Sequence, residues 1–197
     1  GTLTIRHSAD ADTLWFAYFA PYTIERHYDL VSEIAGRDGV SHASLGQTLD
    51  GRELDYFSIG TGDLSVWLYA RQHPGETMGS WWMEGFLPAI GDKKNPATKS
   101  LLQAATVHIV PCMNLDGARR GHLRANAAGV DLNRAWRNTT MEESPEVFLV
   151  RELMRETGVD FFLDVHGDEA IPNNFLASAE GIPSWNERHK LLIDRFS

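Results

Sequence analysis

The stretch LSVWLYARQHPGETMGSWWMEGFL, residues 64–87, joins an apolar segment to a polar turn and then to a helix-like segment. Residues 64–70 are apolar almost throughout, which predicts a strand that is buried on both faces. His73 and Glu76 flank a Pro-Gly turn directly after that strand, and apolar residues with helical spacing follow. In open α/β sheets, ligands bind at the carboxyl ends of strands. The stretch therefore predicts an α/β fold with a polar site where this strand ends.

Strand-like and helix-like segments alternate along the rest of the chain. The alternation predicts a mixed, mostly parallel twisted sheet flanked by helices on both faces. Trp81, Trp82, Met83 and Phe86 have helical spacing and are predicted to belong to the core. The predicted strands are 14–21, 41–48, 53–60, 64–70, 105–111, 159–167 and 173–179. An Asp-Gly turn joins the second of these strands to the third. The predicted helices are 23–36, 76–90, 95–104, 144–158 and 183–196, and a long loop is predicted over 112–140.

Composition narrows the classes of function. The chain has 197 residues, of which 43% are hydrophobic, and this is enough for one domain with a substantial core. A net charge of −9 argues against a nucleic-acid partner. The single cysteine, Cys112, excludes an intramolecular disulfide and a cysteine zinc cluster, and its setting predicts an inert buried thiol. Neither a signal peptide nor an apolar run of membrane length is apparent, so no membrane partner and a cytoplasmic location are expected.

Two histidines and one glutamate at the ends of two predicted strands suggest a metal site. His73 and Glu76 have HxxE spacing, which occurs readily by chance, so the motif gains weight only if a third ligand joins it. His166 ends a separate predicted strand. A His₂Glu set leaves a fourth position open for water, as catalytic zinc sites do. The hypothesis is one Zn²⁺ per chain.

The segment NLDGARRGHLRANAAGVDLNRAW, residues 114–136, is rich in arginine and carries few acidic residues. Guanidinium groups suit carboxylate binding and the stabilisation of an oxyanion. Ordinary surface arginines are the alternative interpretation. The arginines are Arg119, Arg120, Arg124 and Arg134.

A family resemblance rests on four motifs in a specific order. They are HPGE (73–76), NLDG (114–117), GVDLNR (129–134) and DVHG (164–167). Together they resemble the zinc metallocarboxypeptidases of the funnelin, or carboxypeptidase A-like, superfamily. RQHPGET is most similar to the cytosolic carboxypeptidase subfamily and its bacterial relatives. The resemblance implies a zinc-dependent enzyme that hydrolyses the C-terminal peptide bond of peptides or protein tails.

The resemblance also implies individual roles. The two histidines and the glutamate of the metal-site hypothesis would ligate zinc. Arg124 would polarise the scissile carbonyl and hold the developing oxyanion. Asn133 and Arg134 would bind the terminal carboxylate of the substrate. Asp131 would accept a hydrogen bond from the other ring nitrogen of His73 and fix its tautomer.

The resemblance implies that the catalytic domain starts near residue 23 and continues beyond Ser197. In the family, a glutamate general base and a tyrosine on a mobile loop lie well after the third zinc ligand, so both are expected outside this chain. Glu169 is a nearby candidate base, although its position does not match the family. Residues 1–22 are expected to be the tail of a preceding β-sandwich domain, and residues 23–197 the N-terminal part of the catalytic domain.

Two other functions are consistent with the sequence. N-acyl amino acid amidohydrolases of the aspartoacylase and succinylglutamate desuccinylase type share the ligand set and a DLNR-like segment. Their motif usually reads HGxE, whereas this chain has HPGE, and NLDG suits a peptidase better. A non-catalytic domain that binds C-terminal tails is the third alternative. The chain has no G-x-S-x-G motif, so serine hydrolase chemistry is set aside.

Overall fold

The computed structural model describes residues 4–14, 16–171 and 173–196. The chain divides into two compact units, Gly1–Gly167 and Asp168–Ser197. Within its described residues, the second unit contains one helix, α7 (Glu187–Phe196). Among the described residues, none of the helices is long and apolar enough to cross a bilayer. The first unit contains, in chain order, α1 (Ile24–Ala35), β1 (Val40–Gln47), β2 (Glu53–Ile59), β3 (Leu64–Ala70), α2 (Met78–Ile90), α3 (Pro96–Ala104), β4 (Ala105–Val110), α4 (Leu115–Arg120), α5 (Leu132–Ala135), α6 (Pro145–Thr157) and β5 (Phe161–Val165).

The first unit is built on a five-stranded sheet with the order β1-β2-β4-β3-β5. β3 pairs in parallel with β4 and with β5, whereas β2 is antiparallel to β1 and to β4. Tyr69 pairs with Val110, and Ala70 pairs with Val165. The carboxyl ends of β4, β3 and β5 therefore lie together at one edge of the sheet, which confirms the predicted mixed α/β architecture.

Helices cover both faces of the sheet. Alternate side chains of β3 point to opposite faces, so each face contributes to a separate cluster. Trp67 and Tyr69 pack in a cluster with residues of α5 and α6. Leu68 and Ala70 pack in a second cluster with residues of α1 and α2. Burial on both faces explains why β3 is apolar almost throughout.

Local signals set several helix boundaries. The Thr23 side chain accepts a hydrogen bond from the backbone N–H of Arg26 and caps α1. Pro145 occupies the first turn of α6, and Gly158 follows its end with a φ of 76°. These boundaries lie within one residue of the predicted ones.

Two predicted strands are wrong. Residues 16–21 of the stretch 14–21 form no strand, and Trp15 lies outside the described residues. Phe16 and Tyr18 are instead 71% and 70% exposed. Residues 173–179 also form no strand. An apolar, β-prone composition makes a strand only when a neighbouring strand satisfies its backbone groups, and neither segment is paired within the described residues.

Other expectations are corrected in detail. α2 begins at Met78, after the turn in which the Glu76 N–H donates to the His73 carbonyl. Met83 is fully buried, but Trp81 and Trp82 are 37% and 38% exposed, so the helix buries a narrower stripe than predicted. The predicted loop over 112–140 contains the short helices α4 and α5.

Candidate metal centre

The segment between β3 and α2 is held in a tight conformation. Arg71 has a φ of 61°, in a region that residues other than glycine rarely adopt, and there the chain turns away from β3. Its Nε donates to the Pro74 carbonyl at 2.8 Å, and its Nη1 donates to Ser80 Oγ at 2.8 Å. The Gly75 N–H donates to the Leu123 carbonyl at 2.9 Å. A Cβ at Gly75 would lie 2.8 Å from that same oxygen, so the close approach requires glycine.

This segment brings the three candidate ligands together. His73 Nδ1 lies 2.7 Å from Glu76 Oε1, and His166 Nδ1 lies 2.8 Å from Glu76 Oε2. The Gly167 N–H also donates to Glu76 Oε2, at 2.9 Å. One potential ligand atom from each of the three residues lies within 4.8 Å of the others. The HxxE pair and the histidine after β5 therefore converge at the carboxyl edge of the sheet.

Each candidate histidine has a second carboxylate on its outer side. His73 Nε2 lies 3.1 Å from Asp131 Oδ1, and His166 Nε2 lies 2.8 Å from Asp164 Oδ2. A carboxylate beside Nε2 favours the proton on that nitrogen and leaves Nδ1 as the metal-binding atom. Both Nδ1 atoms point towards the carboxylate of Glu76, so both rings present the same nitrogen to the centre of the cluster.

The electrostatics of the cluster favour a cation. Burial would raise the pKa of Glu76, but hydrogen bonds from His166, His73 and the Gly167 N–H together lower it to about 2. Burial would lower the pKa of His166, but the carboxylates of Asp164 and Glu76 raise it to about 9. The glutamate is thus ionised at neutral pH, and the two imidazoles lie among three carboxylates.

These residues fit a zinc ion. Two imidazole nitrogens and one carboxylate oxygen form the donor set of many catalytic zinc sites, with a coordination position left for water or substrate. The outer carboxylates supply the orientation that histidine ligands of zinc usually receive. His73 and Glu76 are only 3% and 6% exposed, whereas the His166 side chain is 27% exposed, so the cluster is largely buried and solvent reaches it at His166.

The candidate substrate-binding residues lie around this cluster. Arg124 Nε donates to Asp131 Oδ2 at 2.8 Å, and the backbone N–H of Asn133 donates to Asp131 Oδ1 at 3.0 Å. Asn133 Nδ2 lies 3.4 Å from His166 Nε2. The exposed Arg134 donates from Nη1 to the Asn133 carbonyl at 3.0 Å. Asp131 thus joins a candidate ligand to the segment that carries the candidate substrate-binding residues.

Arg120 and Cys112 have surroundings of their own in the first unit. Arg120 forms a two-pronged ion pair with Asp50, through Nε at 2.9 Å and Nη2 at 2.5 Å, so the interpretation as a structural surface arginine holds for it. Glu169 belongs to the second unit. Cys112 is buried, and burial raises the pKa of its thiol to about 11, as expected of an inert cysteine.

Two residues beside the candidate ligands, Asp164 and Gln72, are not among the residues predicted from the sequence. Asp164 precedes His166 by two residues, and residues two apart on a strand share one face, so its contact with the histidine was accessible from spacing. Gln72 is fully buried, and its Nε2 donates to Asp164 Oδ2 at 2.6 Å. A single glutamine beside a motif gives no such signal.

Comparison with known proteins gives the family of the chain. The sequence profile of the zinc carboxypeptidase family matches residues 33–190. The chain belongs to the zinc carboxypeptidase family. An uncharacterized protein of Zymomonas mobilis is 52% identical over 196 residues, which is all of this chain and 52% of that protein. Human cytosolic carboxypeptidase 2 is 31% identical over 192 residues, which cover 89% of this chain and 21% of that protein.

Solved structures of bacterial metallo-carboxypeptidases have the same fold. The metallo-carboxypeptidase of Pseudomonas aeruginosa, in complex with (2-guanidinoethylmercapto)succinic acid, is 43% identical with a TM-score of 0.87, over 91% of this chain and 48% of that one. The carboxypeptidase of Burkholderia cenocepacia is 40% identical with a TM-score of 0.82, over 87% of this chain and 48% of that one. The chain therefore spans about half the length of these bacterial relatives.

Proposed function

We propose that this member of the zinc carboxypeptidase family removes the C-terminal residue from peptides or protein tails. One Zn²⁺ would be held by His73, Glu76 and His166. The observation that carries the proposal is the convergence of two histidine Nδ1 atoms on the two oxygens of one glutamate, at 2.7 and 2.8 Å. A bound zinc ion supplies a Lewis acid that activates water and polarises a carbonyl.

Arg124 is proposed to stabilise the oxyanion that develops on the scissile carbonyl. Its Nε is held by Asp131, so its two terminal Nη groups are the donors that can reach a substrate oxygen. Its side chain is 46% exposed, which gives a substrate access to it. A guanidinium that is already oriented by a carboxylate needs little reorganisation when charge develops.

Asn133 and Arg134 are proposed to bind the free carboxylate at the end of the substrate. Arg134 offers a guanidinium fork in an exposed position beside Asn133, and such forks suit two-pronged carboxylate recognition. The relative from Pseudomonas aeruginosa binds (2-guanidinoethylmercapto)succinic acid, which carries carboxylate groups. A carboxylate clamp beside a metal is what an exopeptidase requires, since it selects the last peptide bond.

We further infer that the catalytic domain begins near residue 23 and that its glutamate general base is supplied from beyond Ser197. The coverage of the bacterial relatives, about half of each, supports this inference. Activity is therefore tested on the full-length gene product. We also propose a cytoplasmic location, which agrees with the names of the cytosolic carboxypeptidase relatives and is tested by cell fractionation.

The metal site is tested by elemental analysis of zinc per chain. We expect close to one zinc in the parent protein and a loss of zinc in His166→Ala. His7→Ala removes an exposed histidine far from the motifs in sequence and should leave the zinc content unchanged. Equal zinc in the parent and in His166→Ala would contradict the proposed third ligand.

The activity is tested with pairs of peptides that differ only at the C-terminus. A carboxypeptidase should shorten the peptide with a free carboxylate and leave its C-terminally amidated twin intact, as measured by mass spectrometry. Release of free amino acids from N-acyl amino acids, with both peptides intact, would instead identify an amidohydrolase. Binding of the free-carboxylate peptide without shortening would identify a tail-binding domain.

A further inference from the structure

Gln72 connects the metal-binding segment to two other parts of the first unit. Its Oε1 accepts a hydrogen bond from Trp136 Nε1 at 2.8 Å, and its Nε2 donates to Asp164 Oδ2 at 2.6 Å. The indole N–H can only donate, so Oε1 of the amide must face Trp136, and the amide NH₂ group is left to face Asp164. The Gln72 carbonyl also accepts from Asn114 Nδ2 at 3.0 Å, which fixes the backbone.

Trp136 is itself held in place. Its ring stacks on Tyr69 of β3, with centroids 5.3 Å apart and an interplanar angle of 25°. The indole N–H is thus aimed at Gln72 from a ring that is packed against the sheet. A fully buried glutamine with both ends of its amide satisfied is well suited to hold a neighbour in one position.

The neighbour that Gln72 holds is the carboxylate of Asp164. Both donors to this carboxylate, Gln72 Nε2 and His166 Nε2, use the same oxygen, Oδ2. The other oxygen, Oδ1, is buried and has no hydrogen-bond partner among the described residues. Rotation of the carboxylate is therefore restrained by these two donors, and without Gln72 the histidine would be the remaining one.

We propose that Gln72 is a positioning residue for the third metal ligand and acts on His166 through Asp164. This inference rests on the proposed function, because it takes His166 to be a zinc ligand. The chain of contacts runs from Trp136 through Gln72 and Asp164 to His166. It aligns the histidine that follows β5 with the ligand pair that follows β3, although these segments are far apart in sequence.

Two variants weaken this chain of contacts in different ways. Gln72→Met keeps a side chain of similar length and removes both the donor and the acceptor of the amide. Trp136→Phe keeps an aromatic ring on Tyr69 and removes the indole N–H, with some loss of ring volume. We expect Gln72→Met to raise the Kd for zinc by about 10- to 100-fold, as is typical for outer partners of metal ligands, and Trp136→Phe to raise it by a smaller factor.

Trp67→Phe is the matched control. Trp67 Nε1 donates to the Gly158 carbonyl and to Thr157 Oγ1, both at 3.2 Å, away from the candidate ligands. Loss of the Trp67 indole N–H should lower the free energy of unfolding and leave the Kd for zinc unchanged. Zinc affinity is measured by chelator competition on the full-length gene product, with folding checked by circular dichroism.

Cobalt(II) absorption gives a readout that a loss of packing alone would not change. Replacement of zinc by cobalt(II) should yield a visible spectrum that differs between the parent and Trp136→Phe, since the spectrum depends on coordination geometry. The positioning role alone would be overturned if the parent binds zinc and both variants have the same Kd and the same cobalt spectrum as the parent. A parent that holds no zinc would overturn the metal centre, and the positioning role with it.

Discussion

A buried carboxyl group beside the segment 114–136 should make the free energy of unfolding depend on pH. Glu146, in the first turn of α6, is fully buried; its Oε2 accepts from Asn126 Nδ2 at 3.3 Å, and its Oε1 has no partner among the described residues. Burial raises the pKa of Glu146 from 4.5 to about 7, and the negative charges of Asp116 and Asp50 add to the rise. Hydrogen bonds from its own backbone N–H and from Asn126 oppose the shift without cancelling it.

The sign and size of the effect follow from the two pKa values. Below about pH 4.5 the carboxyl is protonated in both the folded and the unfolded protein, and its contribution to stability is fully present. As the pH rises towards 7, the unfolded chain ionises freely whereas the folded protein resists ionisation. The free energy of unfolding should therefore fall by about 3 kcal/mol over this interval, at about 1.4 kcal/mol per pKa unit.

Glu146→Gln removes the charge and keeps the shape, so it should abolish this fall. Urea unfolding of the metal-free protein, followed by circular dichroism, measures the free energy of unfolding. Relative to the parent, the variant should gain about 2.5 kcal/mol in stability between about pH 5 and about pH 8. An unpaired amide N–H in the variant would change the free energy of unfolding by the same amount at every pH, so the difference between the two pH values would not change.

Glu156→Gln, on the exposed side of the same helix, is the matched control. Its stability should stay within about 0.5 kcal/mol of the parent at each pH. A stability difference between Glu146→Gln and the parent that is constant from about pH 5 to about pH 8 would refute the reasoning. It would mean that the folded protein ionises Glu146 without a penalty.

Further predictions concern the metal centre and its supporting loops. Asp131→Asn should raise the Kd for zinc about 10- to 100-fold in chelator competition. One of the two donors to this side chain, His73 or Arg124, would then face an NH₂ group, which cannot accept. An unchanged Kd would contradict this prediction. Gly117→Ala would place a Cβ 2.5 Å from Pro74 Cγ and should lower the free energy of unfolding by about 1–3 kcal/mol. Gly85→Ala, with nothing within 4 Å, should instead raise it by up to about 1 kcal/mol, both by urea unfolding. Zinc held free at about 100 times its Kd should stabilise the protein by about 2.7 kcal/mol, and a chelator should reverse this.

The central strands and the metal-binding motifs were accessible from the sequence. The apolar run 64–70 predicts a strand because a strand between two neighbours, covered on both faces, has little room for polar side chains. Parallel pairing of such strands places their carboxyl ends at one edge. His73, Glu76 and His166 were therefore predicted to meet before any geometry was known, and their atoms do lie together.

The failures have a common physical origin. The aromatic stretch at 14–21 has the composition of a strand, but a strand requires a paired neighbour, and its presence is a property of the whole fold. Trp81 and Trp82 have helical spacing, but spacing does not say how wide a stripe the sheet covers. In both cases the local pattern describes the character of the side chains but does not fix which neighbours they meet in the folded chain.

The sequence by itself determined the architecture, the family and the identity of the candidate ligands, because periodicity and motif order are local properties of the chain. Only the tertiary structure decided that Nδ1 of each histidine, and not Nε2, faces the carboxylate of Glu76. The role of Gln72 belongs to the same class, since its partners come from segments far along the chain. Hydrogen bonds depend on positions to within a few tenths of an ångström, and only packing of the complete first unit sets such positions.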